Sequence, residues 1–367
     1  MRVGLILPNW VGDACMSTPA IRALRSRFGQ DAEVLAIGRP GPCEVLRGLP
    51  WVNEFMVYRP RGKSPCLGRR EVARQLRQRR LDLVVMFANS LGTALMGYFG
   101  GATQRVGYYG SFRSWLLTDG LPVAHENGKR KVMPTIDHYL QLVKQLGCDD
   151  SDRRMELTVE SSDRSKAERL WEKFGWSQQK KTIAINSSGA FGSSKLWPAE
   201  KVAALAKEIH RQYGYQVLLH CGPGEKSEAN QTAAECSTAA IRSLGECEEP
   251  GYRDLPLGLS KGVLAKADLV VSTDSGPRHI ALALNRPVIS LFGSTQPEWT
   301  TSYNLPEEEI YLGLSCQPCY KRECPLKHHA CMHGIQVSQI ICSIDSRLRQ
   351  ERNEFTRHVP PPLPDVA

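Results

Sequence analysis

Short apolar runs alternate with segments of helical periodicity along most of the chain, which is typical of parallel sheets covered by helices on both faces. In the first half this pattern predicts four strands, at Val3–Leu7, Glu33–Ile37, Glu54–Tyr58 and Leu81–Phe87. It also predicts helices at Pro19–Phe28, Arg69–Arg80, Leu91–Phe99 and Ile136–Leu146.

The same pattern restarts after the polar stretch 148–154. Here the predicted strands are Thr182–Asn186, Gln216–His220, Asp268–Ser272 and Pro287–Phe292. The predicted helices are Ala199–Tyr213, Leu255–Lys266 and Pro277–Leu284. We therefore predict an α/β protein with two doubly wound, Rossmann-like domains, residues 1–150 and 151–350, facing a central cleft, and a flexible tail at 351–367. Ligands of such folds bind beyond the carboxyl ends of the strands.

Charge separates the two halves. The chain carries a net +9, and residues 1–150 alone hold 21 Lys and Arg against 12 Asp and Glu. This surplus is either a set of solvated faces or a surface that meets an anion. Arg59, Arg61 and Lys63 are the candidate anion contacts because they fall in a predicted loop, where binding residues are common.

Several protein classes are disfavoured by what the sequence does not contain. No apolar run approaches the roughly 18 residues that a membrane span needs, so we expect a cytoplasmic protein. Neither half has a GxGxxG turn after its first strand or a Walker phosphate loop, which argues against a dehydrogenase or an NTPase.

The turn after the first strand carries an acid, Asp13, directly behind Gly12. If the next helix begins at Thr18–Pro19, a favourable helix start, Asp13 is not needed as its cap and could accept a proton. If the helix begins near Gly12, Asp13 could instead be an N-cap.

A second turn of interest follows the strand Asp268–Ser272. Asp274, Ser275 and Gly276 precede Pro277, which suits the first turn of a helix. Backbone N–H groups at that helix start would favour a diphosphate. The competing interpretation is that Asp274 or Ser275 only caps the helix.

Two further strand ends in the second half offer polar groups. The loop 187–198 begins with Ser187 and Ser188 and presents Lys195 before a helix, which suits phosphate oxygens, although a plain linker would look similar. Glu225 or Glu228 could hold a ribose diol or could be a surface acid. No DxD-type pair of acids marks a divalent metal site, so we expect Lys195 and helix N–H groups to stabilise a leaving diphosphate.

Twelve cysteines are many for a cytosolic chain, and the segment 316–342 is rich in them. Cys316, Cys319, Cys324 and Cys331 form a C-x2-C-x4-C-x6-C run with histidines between them. This density suits a small structural Zn²⁺ or iron–sulfur site. Reduced thiols are an alternative, whereas a disulfide is disfavoured in the cytosol.

Taken together, these motifs resemble glycosyltransferase family 9, the ADP-heptose:lipopolysaccharide heptosyltransferases, and most of all their heptosyltransferase II branch. The resemblance rests on PNWVGDACMSTPAIRALR, NSLGTALMGYFGGATQRVGY, SSGAFGSSKLWP and STDSGPRHIALALNRPVISLFGSTQPEWT, which occur in the family's order. It covers nearly the whole chain and implies the GT-B architecture, with the acceptor in the first domain and the nucleotide-sugar in the second.

The resemblance also implies roles for individual residues. Asp13 matches the family's general base for an inverting transfer, and Lys195 matches its phosphate-binding lysine. Asp274, Ser275, Gly276 and His279 match the donor-binding motif; His279 alone would more often be a packed histidine than a ligand.

The implied partners are an ADP-heptose donor and a lipid A–core glycolipid acceptor at the inner face of the inner membrane. We expect catalysis without a cofactor, no nucleic-acid partner and a monomer. The alternatives are a transferase of the same family with another donor or acceptor, and a non-catalytic nucleotide- or metal-binding module.

Overall fold

Two six-stranded parallel sheets with one shared strand order form the protein. The computed structural model describes residues 1–59, 68–126, 128–187, 189 and 191–357. The first sheet contains β1 (Arg2–Ile6), β2 (Glu33–Gly38), β3 (Glu54–Val57), β4 (Leu83–Met86), β5 (Gln104–Tyr108) and β6 (Asp119–Leu121). Its order is β3-β2-β1-β4-β5-β6, and a short antiparallel pair, β7 (His125–Glu126) and β8 (Lys129–Arg130), follows it.

The second sheet repeats the same arrangement. It contains β9 (Thr182–Asn186), β10 (Gln216–Leu219), β11 (Ile241–Ser243), β12 (Leu269–Thr273), β13 (Val288–Phe292) and β14 (Glu307–Tyr311). Its order is β11-β10-β9-β12-β13-β14, so the first strand of each unit lies in the middle of its sheet. This is the strand order of dinucleotide-binding folds, in which the connection reverses direction beside the first strand and opens a crevice there.

Helices cover both faces of the sheets. Those of the first half are α1 (Val11–Met16), α2 (Thr18–Phe28), α3 (Pro40–Val45), α4 (Arg69–Arg79), α5 (Leu91–Phe99) and α6 (Thr135–Lys144). Those of the second half are α7 (Ser161–Lys173), α8 (Ala199–Tyr213), α9 (Lys226–Glu235), α10 (Leu257–Lys266), α11 (Gly276–Ala283), α12 (Ala330–His333) and α13 (Val337–Arg357). No helix in the described ranges is both long and apolar enough to span a bilayer.

The carboxyl edges of the two sheets face each other. Helix α1 packs on α11, and α3 packs on α10, so one buried apolar cluster continues from the first sheet into the second half. Lys261 of α10 is fully buried and donates hydrogen bonds to the carbonyl oxygens of Arg47 (2.8 Å) and Thr158 (2.9 Å). The first turns of α1 and α11 lie against each other at this junction.

The structure adds elements that the apolar pattern missed. Helix α1 has only six residues, too short to show a helical period, and β11 and β14 are polar strands away from the sheet centre. Helix α13 continues to Arg357, into the segment 351–367 that was predicted as a tail. Residues 358–367 lie outside the described part of the chain.

Candidate active site

Asp13 lies in the first turn of α1, directly beyond the carboxyl end of β1. The helix begins at Val11, and its N-cap residue is Trp10, whose side chain makes no capping hydrogen bond. The helix start predicted at Thr18–Pro19 is confirmed as the start of α2, whose N-cap residue is Ser17, so Asp13 is not its cap. The sequence missed the short α1 before it, and the alternative that Asp13 is the N-cap of a helix near Gly12 is wrong. The carboxylate is half-buried and projects from α1 at the interface with α11.

The surroundings of Asp13 favour its protonated form. Burial is the main cause, the negative charge of Asp274 adds to it, and the Lys195 ammonium opposes it. Together they raise the pKa of Asp13 to about 6. A carboxylate with this pKa is mostly ionised at pH 7 and is a stronger base than an ordinary aspartate, which is what proton abstraction from a hydroxyl requires.

Asp274 lies directly beyond the carboxyl end of β12, the neighbour of β9 in the second sheet, and is almost fully buried. Its carboxylate accepts hydrogen bonds from Lys195 Nζ (2.6 Å), Thr295 Oγ1 (2.7 Å) and Arg278 Nη1 (3.2 Å). Burial alone would raise its pKa, but the positive charges of Lys195 and Arg278 outweigh burial and hold the pKa well below its usual range. Asp274 is therefore a fixed anion, unsuited to take up a proton.

Arg278 connects this turn to β14, the edge strand of the second sheet. Its guanidinium is fully buried and donates from Nε to Glu307 (2.6 Å) and from Nη2 to the Thr300 carbonyl oxygen (3.0 Å). A buried arginine between two carboxylates is stable because each charge has a partner. Arg278 therefore fixes the position of Asp274.

Lys195 ends the loop 187–198, in a 3₁₀ turn at Ser193–Lys195. Besides its contact with the Asp274 carboxylate, Nζ donates to the Asp274 carbonyl oxygen at 2.9 Å. The ammonium also lies 4.8 Å from the centre of the Phe191 ring. The structure thus brings Lys195 and the turn 274–276 together, as the motifs predicted. Ser188, also predicted in this loop, lies outside the described residues.

Ser275 and Gly276 begin α11. Ser275 occupies the N-cap position, but its side chain makes no capping bond; it donates to the Thr273 carbonyl (3.1 Å) and accepts from Asn186 Nδ2 (3.0 Å). The alternative that Ser275 caps the helix through its side chain is therefore wrong. Gly276 lies against Val11, so the first amides of α11 are at the junction with α1.

His279 is buried one turn into α11, with its ring against Gly12. Burial, and after it the Arg278 guanidinium, lower the pKa of His279 to about 3, so the ring is neutral. Arg278 Nη1 lies 3.4 Å from Nε2, which places the imidazole proton on Nδ1. Within the described part of the chain, Nδ1 has no hydrogen-bond partner.

Ser187 and Glu225 line one small pocket at the carboxyl end of β9 and β10, together with His220 and Glu228. Glu225 accepts a hydrogen bond from the Gly222 amide (2.7 Å), which fixes one oxygen of its carboxylate in the local turn. This pocket is separate from the Asp274 cluster but opens from the same edge of the sheet. Its role in holding a ribose stays a prediction.

The basic loop can be placed only in part. Arg59 is exposed and follows β3 at the carboxyl edge of the first sheet. Arg61 and Lys63 lie outside the described residues, so their predicted contact with an acceptor stays a prediction.

The cysteine-rich segment lies next to the loop that carries Lys195. Cys316, Cys319 and Cys324 are half-buried, Cys331 is buried, and all four are free thiols. Among the described residues, no three His, Cys, Asp or Glu side chains are arranged to hold a metal ion. The structural zinc at these four cysteines stays a prediction.

Contacts of this segment were missed from the sequence. The Arg322 carbonyl accepts from the Ser194 amide (3.0 Å), and the Lys321 carbonyl accepts from Ser194 Oγ (2.5 Å). The Arg322 guanidinium lies about equally far from the rings of Phe191 (5.8 Å) and Trp10 (6.0 Å), one in each half of the chain. The run KRE at 321–323 gave no signal beyond its charge, so only the fold places Arg322 at the cleft.

Comparisons with known protein families and structures identify the family and the fold of this chain. A model of glycosyltransferase family 9 (heptosyltransferase) matches residues 69–330, more than half of the chain. The chain belongs to glycosyltransferase family 9. The recognition made from the sequence motifs is thereby confirmed. Asp13 lies before residues 69–330, the part of the chain that the family model matches. Its assignment to the site therefore rests on the geometry described above.

Relatives and solved structures extend the match to nearly the full length. Lipopolysaccharide heptosyltransferase 2 of Escherichia coli K12 is 28% identical, over 96% of this chain and 99% of its own. The solved structure of E. coli ADP-heptose lps heptosyltransferase II has a TM-score of 0.76 at 25% identity, covering 96% of this chain and 100% of its own. The family 9 glycosyltransferase of Veillonella parvula has a TM-score of 0.81 at 19% identity, with 95% and 97% covered. The predicted GT-B fold of two Rossmann-like domains is confirmed.

Proposed function

We propose that this family 9 chain transfers heptose from ADP-heptose to the inner core of lipopolysaccharide, with an acceptor of the heptosyl-Kdo–lipid A type. The observation that carries the proposal is the position of Asp13 at the junction of α1 with α11, the helix that begins beside the Lys195–Asp274 ion pair. Burial and the charge of Asp274 raise the pKa of the Asp13 carboxyl group. Its relatives include enzymes named for heptose transfer to lipopolysaccharide.

The donor diphosphate would bind at the start of α11. Lys195 uses two of its three N–H groups on Asp274, and its remaining hydrogen and the first amides of α11 would meet phosphate oxygens. The Nδ1–H of His279 is a buried donor without a partner among the described residues, so a donor oxygen would satisfy it. Glu225 and Ser187 would hold the ribose in the neighbouring pocket.

The acceptor would approach from the first domain. Its hydroxyl oxygen attacks the anomeric carbon of the heptose and forms the new C–O bond while the bond to the ADP oxygen breaks. Asp13 takes the hydroxyl proton, and ADP leaves with the electron pair of the broken bond. Because attack and departure occur on opposite faces of the sugar, the anomeric configuration inverts.

No metal ion is required in this mechanism, because Lys195 and helix amides stabilise the leaving diphosphate. The four cysteines Cys316, Cys319, Cys324 and Cys331 would then have a structural role, because their segment contacts the loop that carries Lys195. Metal analysis of the purified protein tests the predicted zinc: about one equivalent that is lost on Cys319→Ser supports it, and metal-free, fully active protein contradicts it.

The chain would act as a cytoplasmic monomer, peripheral to the inner face of the inner membrane, where the lipid A–core acceptor is presented. It would take no nucleic acid as partner. The surplus positive charge of residues 1–150 supports contact with a phosphorylated acceptor and an anionic surface.

The test is a mass-spectrometric transfer assay with ADP-heptose and heptosyl-Kdo–lipid A. A gain of one heptose, with the new linkage inverted by NMR, is the expected result. If ADP binds but no heptose is transferred, a panel of other ADP- and UDP-sugars and acceptors decides whether the chain is a transferase of different specificity. Binding of ADP without turnover of any pair would favour a non-catalytic module.

A further inference from the structure

An exposed aromatic surface covers one flank of the first domain. It is formed by side chains from α5 and from the segment between β5 and β6; we call it the aromatic patch, and it consists of Leu91, Tyr98, Phe99, Tyr109, Phe112 and Trp115. Phe112 is 92% exposed and Trp115 is 71% exposed. Large apolar side chains gathered on one surface mark an interaction site more often than scattered ones do.

The backbone at the tip of the patch is strained. Ser111 and Phe112 have φ angles of 49° and 54°, a left-handed conformation that bulky residues rarely adopt. The conformation is held in place, because Trp115 Nε1 donates to the Phe112 carbonyl oxygen at 3.2 Å. Strain that exposes an aromatic side chain to solvent is typical of a binding element.

A buried arginine anchors this segment to the sheet. Arg113 is fully buried and donates from Nε to the Tyr108 carbonyl (3.0 Å), from Nη1 to the Ala88 carbonyl (2.9 Å) and from Nη2 to Asn89 Oδ1 (2.5 Å). These contacts fix residue 113 while its neighbour Phe112 points outward. Phe112 is therefore presented by a rigid support.

Four members of the patch are linked by contacts: Trp115 donates a hydrogen bond to the Phe112 carbonyl oxygen and lies near Tyr98, which contacts Phe99. The Tyr98 ring lies 6.2 Å from Trp115 and 5.4 Å from Phe99, and Arg105 stacks over Tyr98 at 5.5 Å. These contacts join the end of α5 to the segment after β5.

A basic helix borders the patch. Helix α4 packs on α5 and exposes Arg69, Arg70, Arg74 and Arg77, and its one acid, Glu71, pairs with Arg74. The Arg69 guanidinium lies over Gly92, next to Leu91, and Arg77 lies beside Gly101 just after Phe99. Positive charge therefore flanks the aromatic surface along the length of α5.

We propose that the aromatic patch and the arginines of α4 form the surface by which this protein docks on an anionic phospholipid bilayer. Aromatic side chains favour the membrane–water interface, and nearby Arg side chains favour anionic headgroups. Tyr109 and Phe112 follow β5 at the carboxyl edge of the first sheet, the edge that carries Asp13, so docking would bring the cleft to the membrane. This inference rests on the proposed function in one respect: it takes the acceptor to be a glycolipid held in the membrane.

The test is sedimentation of the full chain with vesicles of phosphatidylcholine alone and of phosphatidylcholine with phosphatidylglycerol. We expect binding to the anionic vesicles only, weakened about tenfold by Phe112→Ser and about fivefold per charge by Arg70→Gln and Arg77→Gln. Two exposed positions in the second half are matched controls: Leu326→Ser and Arg164→Gln should bind as the wild type does.

Two results would overturn the proposal. One is vesicle binding that does not depend on the proposed surface: the wild type and Phe112→Ser bind equally, or the wild type binds anionic and neutral vesicles equally. The other is a wild-type dimer that Phe112→Ser converts to a monomer, since a second copy would then cover the patch. Vesicle binding needs no transfer reaction, so failure here is distinct from failure of the proposed function; a soluble, delipidated acceptor should be used equally well by all five variants.

Discussion

Two aspartates, one from each half of this molecule, lie at strand ends beside the cleft and have opposite surroundings. Asp13 follows β1 and Asp274 follows β12, each beyond the carboxyl end of a strand and beside the cleft. Asp274 is bound by Lys195, Arg278 and Thr295, whereas burial and the charge of Asp274 raise the pKa of Asp13 to about 6. The same residue type is thus a fixed anion in one domain and a candidate base in the other.

The comparison shows that partners decide the role of each acid. Two carboxyl groups whose pKa values are driven apart by their surroundings are typical of acid–base sites. Asp274 contributes to this separation itself, because its permanent negative charge raises the pKa of Asp13. Variants of the two aspartates should therefore differ in their effects on catalysis and on stability.

The largest expected effect is on catalysis by Asp13→Asn. The amide keeps the shape but cannot take the proton, so the transfer rate should fall about 10²- to 10⁴-fold. ADP binding, measured by calorimetry, should be unchanged. Asp31→Asn, an exposed aspartate of the same domain, is the control and should keep full activity. Undiminished transfer by Asp13→Asn would return Asp13 to a structural role.

Asp274→Asn should instead damage the fold and the donor site. It removes the anion between Lys195 and Arg278, and breaking a buried ion pair costs about 3–5 kcal/mol of unfolding free energy. Urea denaturation measures this loss, and calorimetry should show weaker ADP binding. Asp150→Asn, which breaks the more exposed pair with Lys144, should cost less than about 1 kcal/mol. Equal stability of the two variants would contradict the assigned role of Asp274.

Unlike Asp274→Asn, Asp13→Asn should increase the stability of the fold at neutral pH. An acid with a raised pKa in the folded state adds stability when protonated and loses that contribution as the pH rises from about 4 to about 6. At pH 7.5 the ionised Asp13 therefore costs up to about 3 kcal/mol, which the neutral Asn avoids. Thermal denaturation should show a more stable variant at pH 7.5, with the difference shrinking toward pH 4. A variant less stable at pH 7.5 would show that Asp13 supports the fold.

The smallest effect is the pH dependence of the wild type. Because the base must be ionised, kcat/KM should fall about tenfold per pH unit below about pH 6. His279 does not compete for this assignment, since burial lowers its pKa to about 3. ADP affinity over the same range is the control; a kcat/KM that is flat down to pH 4.5 would contradict an Asp13 base.

Much of the fold could be predicted from the sequence. The apolar runs located the central strands, and β9, α5 and α8 have the predicted bounds. The alternation placed the polar turns at strand ends that meet at one edge, which is why Lys195 and Asp274 were expected in the same domain's site. The short helix α1 and the polar strands β11 and β14 were not predicted, because their sequences have no apolar periodicity.

The partner set of the site could not be predicted. Lys195 meets Asp274 across 79 residues of sequence, and Glu307 meets Arg278 from β14, a strand whose three successive acids gave no strand signal. Local pattern shows which residues end a strand, whereas the distance between two such residues depends on sheet order and domain packing. The raised pKa of Asp13 depends on both, so the local pattern left its role as a proton acceptor open and only the resemblance to family 9 favoured a base.

The most direct test of the contrast is a carboxyl ¹³C NMR titration of the protein labelled at aspartate, with the two signals assigned by Asp13→Asn and Asp274→Asn. The account predicts that Asp13 titrates near pH 6 and that Asp274 stays ionised to well below the usual aspartate range. An Asp13 signal that titrates near 4, or one that titrates below Asp274, would contradict it.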